Sequence, residues 1–578
     1  MSRKNSTFHG YETAKTSAWM NVKMHLQIFI FILFAHAAIS IGWTLHSNWA
    51  AIVRLKDYIW SSTGLFSMPD TRYVSEYLRV LTRESYDLAI SIWPIWVAYP
   101  IILGFFARRA EKQGGIHHIR GAKLMEEKEL IRGIEREGGH KESRIRISSV
   151  PIPKKEEVKH WFIVGRPGVG KTVVMSSVIE QLMAAGGRGI IYDFKGDYTA
   201  RFYRPDRDLI FNPLDAHGLQ WNILDEVRTT MDVGGIAACL IPEGEGEGVF
   251  WNSGSRDIFS AILHYCLENG KRTNREIWEM LCLPVDRLAE ILNNTKRGAR
   301  GYALICKNDK MANIFVRNMM IYAGGIEYMS ESTGGFTIRE WLNTEKEGFI
   351  FVTNYSKIKN VLRPVLSLFI DLLARELLSM SEDFDRRIYF MLDEFGTLQN
   401  LNSITELLTQ TRSKGGSVWI GIQDQGQIEK IYGREGRQSI VSSCGGNLIF
   451  SVADPDTSEY LSRKIGDHEF YESETSHSMG PGDYGNGLSL AQRRQTGRLI
   501  LPSQIQNLKD LNFYLKVPGF DITQTRLQYK DYKNINESFV LREGLDMSEI
   551  LEKQQETERA IEGLFQPRKK DKDEDGYM

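Results

Sequence analysis

Paired cysteines, an excess of either charge and metalloprotease signatures are all missing from this 578-residue chain, and each absence closes a class of function. The five cysteines, Cys239, Cys266, Cys282, Cys306 and Cys444, form no C-x-x-C pair. Neither a zinc knuckle nor a disulfide framework is therefore indicated, and they read as buried thiols in a reducing compartment. Lys+Arg (72) and Asp+Glu (73) almost cancel, so no polycation coats nucleic acid by overall charge and any DNA contact must be local. No H-E-x-x-H occurs, which disfavours a zinc-dependent protease. The length exceeds one ordinary domain, so two or three folded units are expected.

Long charge-free runs are present twice. Ile28 to Leu45 is just long enough to span a bilayer, with Lys15 and Lys23 ahead of it. A cleavable signal peptide is the alternative reading, because Ala35-His36-Ala37 resembles a small-residue cleavage site. Leu88 to Phe106 is rich in Trp and Tyr and ends at Arg108, Arg109 and Lys112, as a stop-transfer helix should. Everything after Arg108 carries nucleotide chemistry and is expected on the cytoplasmic side, where ATP is available; in a bacterium the small loop between the spans is periplasmic.

That chemistry starts at an apolar run, Trp161 to Val164, followed by Gly165-Arg166-Pro167-Gly168-Val169-Gly170-Lys171-Thr172 and a helix-compatible stretch through Ala185. The order is strand, glycine loop, helix. Glycines let successive backbone N–H groups converge on phosphate oxygens, and the helix N-terminus adds a favourable dipole. Lys171 is expected on the β and γ phosphates of ATP and Thr172 on Mg2+. A second strand, Ile388 to Leu392, delivers Asp393 and Glu394 at its C-terminal end. Asp393 is expected to hold Mg2+ through its water shell and Glu394 to polarise the attacking water; the bland reading is a pair of exposed acids after a core strand.

Three further residues carry open alternatives. Gly189 to Tyr192 predicts a strand ending at Asp193, either near the phosphates or in a turn that solvates itself. Val418 to Ile422 predicts another ending at Gln423, a γ-phosphate sensor or a plain loop amide. Arg412, ahead of that strand, is either an arginine finger reaching into a neighbouring subunit's site or a solvated helix-end cation.

Asp393 lies much further from Lys171 than a compact P-loop fold needs, so a segment is inserted. It reads as helical: Phe259, Ile262, Leu263, Cys266 and Leu267 share one helical face, as do Leu288, Ile291 and Leu292. Ser473 to Thr496 is Gly/Ser-rich and reads as a mobile loop ending in Arg493 and Arg494. A helix near Met547 to Leu564 precedes a charged tail, either solvated or a docking peptide.

In order, these pieces resemble the TraD/TrwB family of type IV coupling proteins, the TraD branch most. The resemblance runs nearly end to end through two spans, Arg120-Gly121-Ala122, GRPGVGKT, IIYDFKGDY, Asn212-Pro213-Leu214-Asp215-Ala216, Phe250 to Arg256, MLDEFGTL, RSKGG, GIQDQGQIEKIYG and Val517-Pro518-Gly519. It implies an α/β fold: a RecA-like P-loop ATPase domain with an all-α insertion domain and two N-terminal transmembrane helices. It also implies a homo-hexamer in the inner membrane that recruits single-stranded DNA with bound relaxase, passes it to type IV secretion channel components, and takes ATP and Mg2+. Carried over, it assigns Lys171 and Thr172 to nucleotide and magnesium, Asp393 and Glu394 to the Walker B role, Arg412 to a trans finger and Gln423 to the sensor. The short acidic end is a candidate dock for an accessory relaxosome protein, in place of the long polar tail of some TraD proteins.

The expected layout is a cytoplasmic N-terminus over 1–27, two spans with a periplasmic loop over 28–106 and a linker over 107–150. The nucleotide-binding domain takes 151–227 and 346–535, the all-α domain 228–345, and the C-terminal helix and tail 536–578. A coupling ATPase for protein effectors and a double-stranded DNA translocase of chromosome segregation are the competing readings.

Overall fold

The computed structural model describes residues 5–62, 70–91, 97, 101, 117–244, 246, 248–355, 358–478 and 487–565. They belong to two compact units, Met1–His118 with Phe470–Gln495 and Ile119–Glu469 with Thr496–Met578. In the first unit the helix Asn5–Ser47 contains the apolar segment His25–Ser47, of mean hydropathy 2.1. Its Phe31 and Phe34 are 72% and 70% exposed, so this apolar surface is not covered by the protein's own core. Among the described residues it is the one helix long and apolar enough to cross a membrane. The second expected span, 88–106, lies outside the described residues apart from 88–91, 97 and 101, and the tail 566–578 lies wholly outside them. After the first run the chain is helical over Trp49–Ser62 and over Thr71–Ser91, which reaches into the second run.

Along the chain the strands are β1 His117–Gly121, β2 Leu124–Met125, β3 Ile145–Ile147, β4 Val150–Ile152, β5 Trp161–Val164, β6 Arg188–Asp193, β7 Leu209–Phe211 and β8 Gly348–Thr353. They continue with β9 Ile388–Leu392, β10 Gly416–Ile422, β11 Gly446–Ile449, β12 Asp467–Ser478, β13 Gly487–Arg498, β14 Asn512–Lys516 and β15 Ile522–Arg526. The second unit is built on a ten-stranded sheet in the order β2-β15-β14-β11-β5-β10-β9-β6-β8-β7. From β11 to β7 every neighbouring pair is parallel. β14 then turns antiparallel to β11, and β15 to β14.

The parallel strands are apolar runs without alternation because helices cover both of their faces. Phe162, Val164, Ile190, Tyr192 and Phe390 point into one core, shared with the helix Lys359–Ser379 and the helical insert. Trp161, Ile163, Ile191, Tyr389 and Met391 point into the other, shared with the helix Lys171–Ala184. Within the insert, between β7 and β8, helices run from Thr230–Leu240 to Ile338–Asn343. Phe259, Ile262, Leu263, Cys266, Leu288 and Leu292 are buried there, with Leu267 and Ile291 half-buried at the edge of the stripe.

The expected loop over Ser473 to Thr496 is a correction. β12 and β13 take all of it except 479–486, which lies outside the described residues. A polar ribbon held by backbone pairing carries no hydrophobic alternation, so its sequence looks like loop. Arg493 and Arg494 are exposed on β13.

At the edge of the sheet where β10 begins, His160 is fully buried in a left-handed turn, φ 56°. Its Nδ1 accepts from the Val418 N–H at 3.2 Å, while Nε2 faces the Leu408 carbonyl without closing a good hydrogen bond. Burial, then the nearby Arg412 charge, pushes its pKa down to about 3. The folded chain thus refuses a proton that the unfolded chain accepts below the usual histidine value of about 6.5. The resulting stabilisation is complete above that pH and is lost as the pH falls toward 3. A His160→Gln variant removes the titration. Its stability gap from wild type should shrink by about 3 kcal/mol between pH 6.5 and pH 4, at about 1.4 kcal/mol per pH unit. Denaturant unfolding of both proteins at the two pH values reads this directly; a constant gap would show that His160 does not carry the acid response.

Candidate nucleotide site

Four neighbouring strands, β5, β10, β9 and β6, end on the same edge of the sheet. Their ends carry Gly165, Gln423, Asp393 with Glu394, and Asp193. With strands about 4.8 Å apart, sheet order alone brings together groups that are scattered along the sequence. β10 inserts between β5 and β9, so Gln423 stands between the glycine loop and the two acids.

The glycine loop leaves β5 wedged between two other segments. The Gly165 N–H donates to Ile422 O at 3.3 Å and the Arg166 N–H to Ser451 O at 2.7 Å. The Arg166 guanidinium pairs with Asp510 at 2.7 Å, and the Leu511 N–H donates to Val169 O at 2.9 Å. Gly168 and Gly170 take φ of 83° and 116°, a region that side chains oppose; a Cβ on Gly170 would also press on Leu511. The helix Lys171–Ala184 starts directly from this turn, so its first amides have no acceptor within the helix and face outward with the positive end of the dipole.

Lys171 is 7% exposed, and its ammonium donates to Gly165 O at 2.6 Å and Arg166 O at 3.3 Å. Burial lowers its pKa, while Glu394 and Asp393 act in the opposite direction. Asp393 is 8% exposed. Burial raises its pKa, and a hydrogen bond from the Tyr198 hydroxyl to Oδ2, at 2.6 Å, works against that rise. Glu394 adopts φ 55° and ψ 44°, a strained conformation for a side-chain-bearing residue that costs on the order of 1–3 kcal/mol. The Gln423 amide Nε2 donates to both of its carboxylate oxygens, at 3.2 and 3.1 Å, and the Lys195 ammonium lies 3.8 Å away.

Asp193 ends β6 beside the Asp393 end of β9, and its carboxylate caps the turn that follows. Its Oδ2 accepts from the Thr199 N–H at 2.7 Å and the Thr199 hydroxyl at 2.8 Å, securing the short helix Asp197–Phe202. Full burial pushes its pKa up to about 6. Arg412 is not brought to this edge. It is exposed at the start of β10, donating to Ser443 O at 3.2 Å, about 20 Å from Gln423 by the rise of the strand.

The donors suit magnesium: a hydroxyl, Thr172, and a carboxylate, Asp393, both hard oxygens. Among the described residues no group of three or more His, Cys, Asp and Glu gathers to hold a metal. Mg2+ bound by one or two protein oxygens together with substrate phosphates needs no such cage. A cavity of about 800 Å3 opens along the same helix, lined by Val173, Ser177, Gln181, Arg146, Arg526 and Lys530 among others, with room for a base and ribose. Reading the sequence alone missed Tyr198, Lys195, Asp510 and Leu511. Tyr198 and Lys195 lie within the IIYDFKGDY motif, which carried the resemblance but no role for either side chain.

The sequence model of the type IV secretion-system coupling protein DNA-binding domain matches residues 144–528. The coupling protein TraD of Escherichia coli strain K12 is 27% identical over 546 residues, covering 91% of this chain and 73% of that protein. The protein VirD4 of Agrobacterium fabrum is 25% identical over 391 residues, 63% of this chain and 57% of that protein. The solved structure of the plasmid coupling protein TrwB in complex with ADP and Mg2+ matches with a TM-score of 0.64 at 25% identity, over 74% of this chain and 98% of that one. The α/β fold with its mixed sheet is thus similar to that of TrwB.

Proposed function

The chain belongs to the type IV secretion-system coupling proteins, and on that premise we propose that it is the ATP-hydrolysing motor of conjugation, moving relaxase-bound single-stranded DNA into the secretion channel. The observation that carries the reading is the convergence of Lys171, Gln423, Asp393 and Glu394 on one edge of the sheet. In this reading the amides of Gly168, Val169 and Gly170 and the Lys171 ammonium bind the phosphates. Thr172 and Asp393 hold Mg2+, which when bound offsets charge on the β and γ phosphates. Glu394, oriented by Gln423, takes the proton of the attacking water. Val173 and Ser177 flank the base.

The helical insert over 228–345, packed on the same core as the sheet, faces the cytoplasm, and the assembly is a homo-hexamer in which Arg412 completes a neighbour's site. His25–Ser47 and the run 88–106 are the two inner-membrane spans. The 566–578 tail is the proposed dock for an accessory relaxosome protein.

The test is ATP hydrolysis by the detergent-solubilised full-length protein, with and without single-stranded DNA, against Lys171→Ala as the background. A severalfold rise with single-stranded DNA, absent from the variant, is expected. Indifference to DNA would favour a coupler of protein effectors, and preferential stimulation by duplex would favour a double-stranded translocase.

A further inference from the structure

The helix Asp197–Phe202 brings a phenol to the two residues assigned to magnesium. Tyr198 is 3% exposed, and its hydroxyl donates to Asp393 Oδ2 at 2.6 Å. The Thr172 side chain lies beside the same phenol. An ionised carboxylate can only accept, so the phenol proton points at Asp393 and holds one of its oxygens in place. The other oxygen of Asp393, Oδ1, is fixed separately by the Glu394 N–H at 3.1 Å.

Tyr198 has little freedom to leave this position. Asp193 caps its helix through both donors of Thr199. Ala200 O accepts from the Ile535 and Asn536 N–H groups, and the Asn536 side chain donates to Tyr203 O at 2.7 Å. Gly196, which opens the helix at φ 78°, packs against Ser538 so closely that a Cβ there would clash. The chain segment after β15 therefore clamps the element that carries the phenol.

We propose that Tyr198 is a positioning residue for the metal, holding the Asp393 carboxylate in the orientation that meets magnesium. The inference rests on the nucleotide-site reading above. It makes a structural tyrosine into a determinant of magnesium affinity, through a phenol that neither the glycine-loop motif nor the strand-end acids would reveal.

Binding of a fluorescent ADP analogue to the full-length protein, followed as Mg2+ is titrated, tests it without relying on hydrolysis. In Tyr198→Phe the half-saturating Mg2+ concentration should rise about tenfold, as loss of a group that orients metal ligands typically does. ADP affinity in EDTA and the melting temperature should stay close to wild type. An unchanged Mg2+ midpoint, or equal weakening with and without Mg2+, would overturn the positioning role. Tyr198→Met, which keeps bulk without the hydroxyl, supplies the same comparison if the phenylalanine variant does not fold. Wild-type protein whose ADP binding ignores Mg2+ would instead refute the nucleotide-site reading itself.

Discussion

Replacing Glu394 by Gln should lower kcat for ATP hydrolysis about a thousandfold, within the range that a general base contributes, and leave nucleotide affinity within about threefold. The carboxylate is 3.2 and 3.1 Å from the Gln423 amide and 3.8 Å from the Lys195 ammonium. An isosteric amide keeps the space and the left-handed backbone but loses the proton acceptor. On the proposed reading binding energy resides elsewhere, in the loop amides and Lys171, so Lys171→Ala is expected to lose affinity as well as rate. Phosphate-release kinetics beside fluorescent-nucleotide titration separates the two patterns. A Glu394→Gln protein that keeps more than about a tenth of the wild-type rate would remove Glu394 from the role of base.

Arg412→Ala should also reduce hydrolysis, about a thousandfold if the guanidinium stabilises the transferring phosphoryl group of a neighbouring subunit, while that subunit's nucleotide affinity is unchanged. The geometry makes the trans assignment testable, because Arg412 is exposed and at the opposite end of β10 from its own site. Mixing Arg412→Ala with Lys171→Ala should therefore restore activity. An Arg412→Ala subunit keeps its own Lys171 and borrows the arginine of a Lys171→Ala neighbour. Two inactive proteins that stay inactive when mixed, under conditions where wild type assembles, would sink the finger.

The parts of the site readable in the sequence were those whose chemistry is tied to the end of an apolar run. β5 and β9 coincide with the expected strands, and Lys171, Asp393 and Glu394 follow from them. Gln423 could be placed at a strand end, but that β10 lies between β5 and β9 is a property of the sheet order, which no local pattern carries. Asp193 illustrates the limit: its position was legible and its partner was not, because a cap on Thr199 and a phosphate contact demand the same residue type. Tyr198 was harder still. Its role depends on a helix too short to have a recognisable period and on a clamp from residues 535–538, far along the chain. The polar ribbon of β12 and β13 was misread because pairing of backbones leaves no mark on composition.

β10 has one more property that bears on a ring of such subunits. All seven of its residues are buried, and it is hydrogen-bonded on both sides, to β5 and to β9. Such a strand cannot buckle, and sliding it would shear two ladders at once. Gln423 follows its inner end, while at the outer end Gly415, at φ 81°, joins it to the turn that carries Arg412. In the proposed hexamer a shift of the amide would travel along β10 as a rigid body as far as that glycine, the joint through which it would reach the arginine and the neighbouring site.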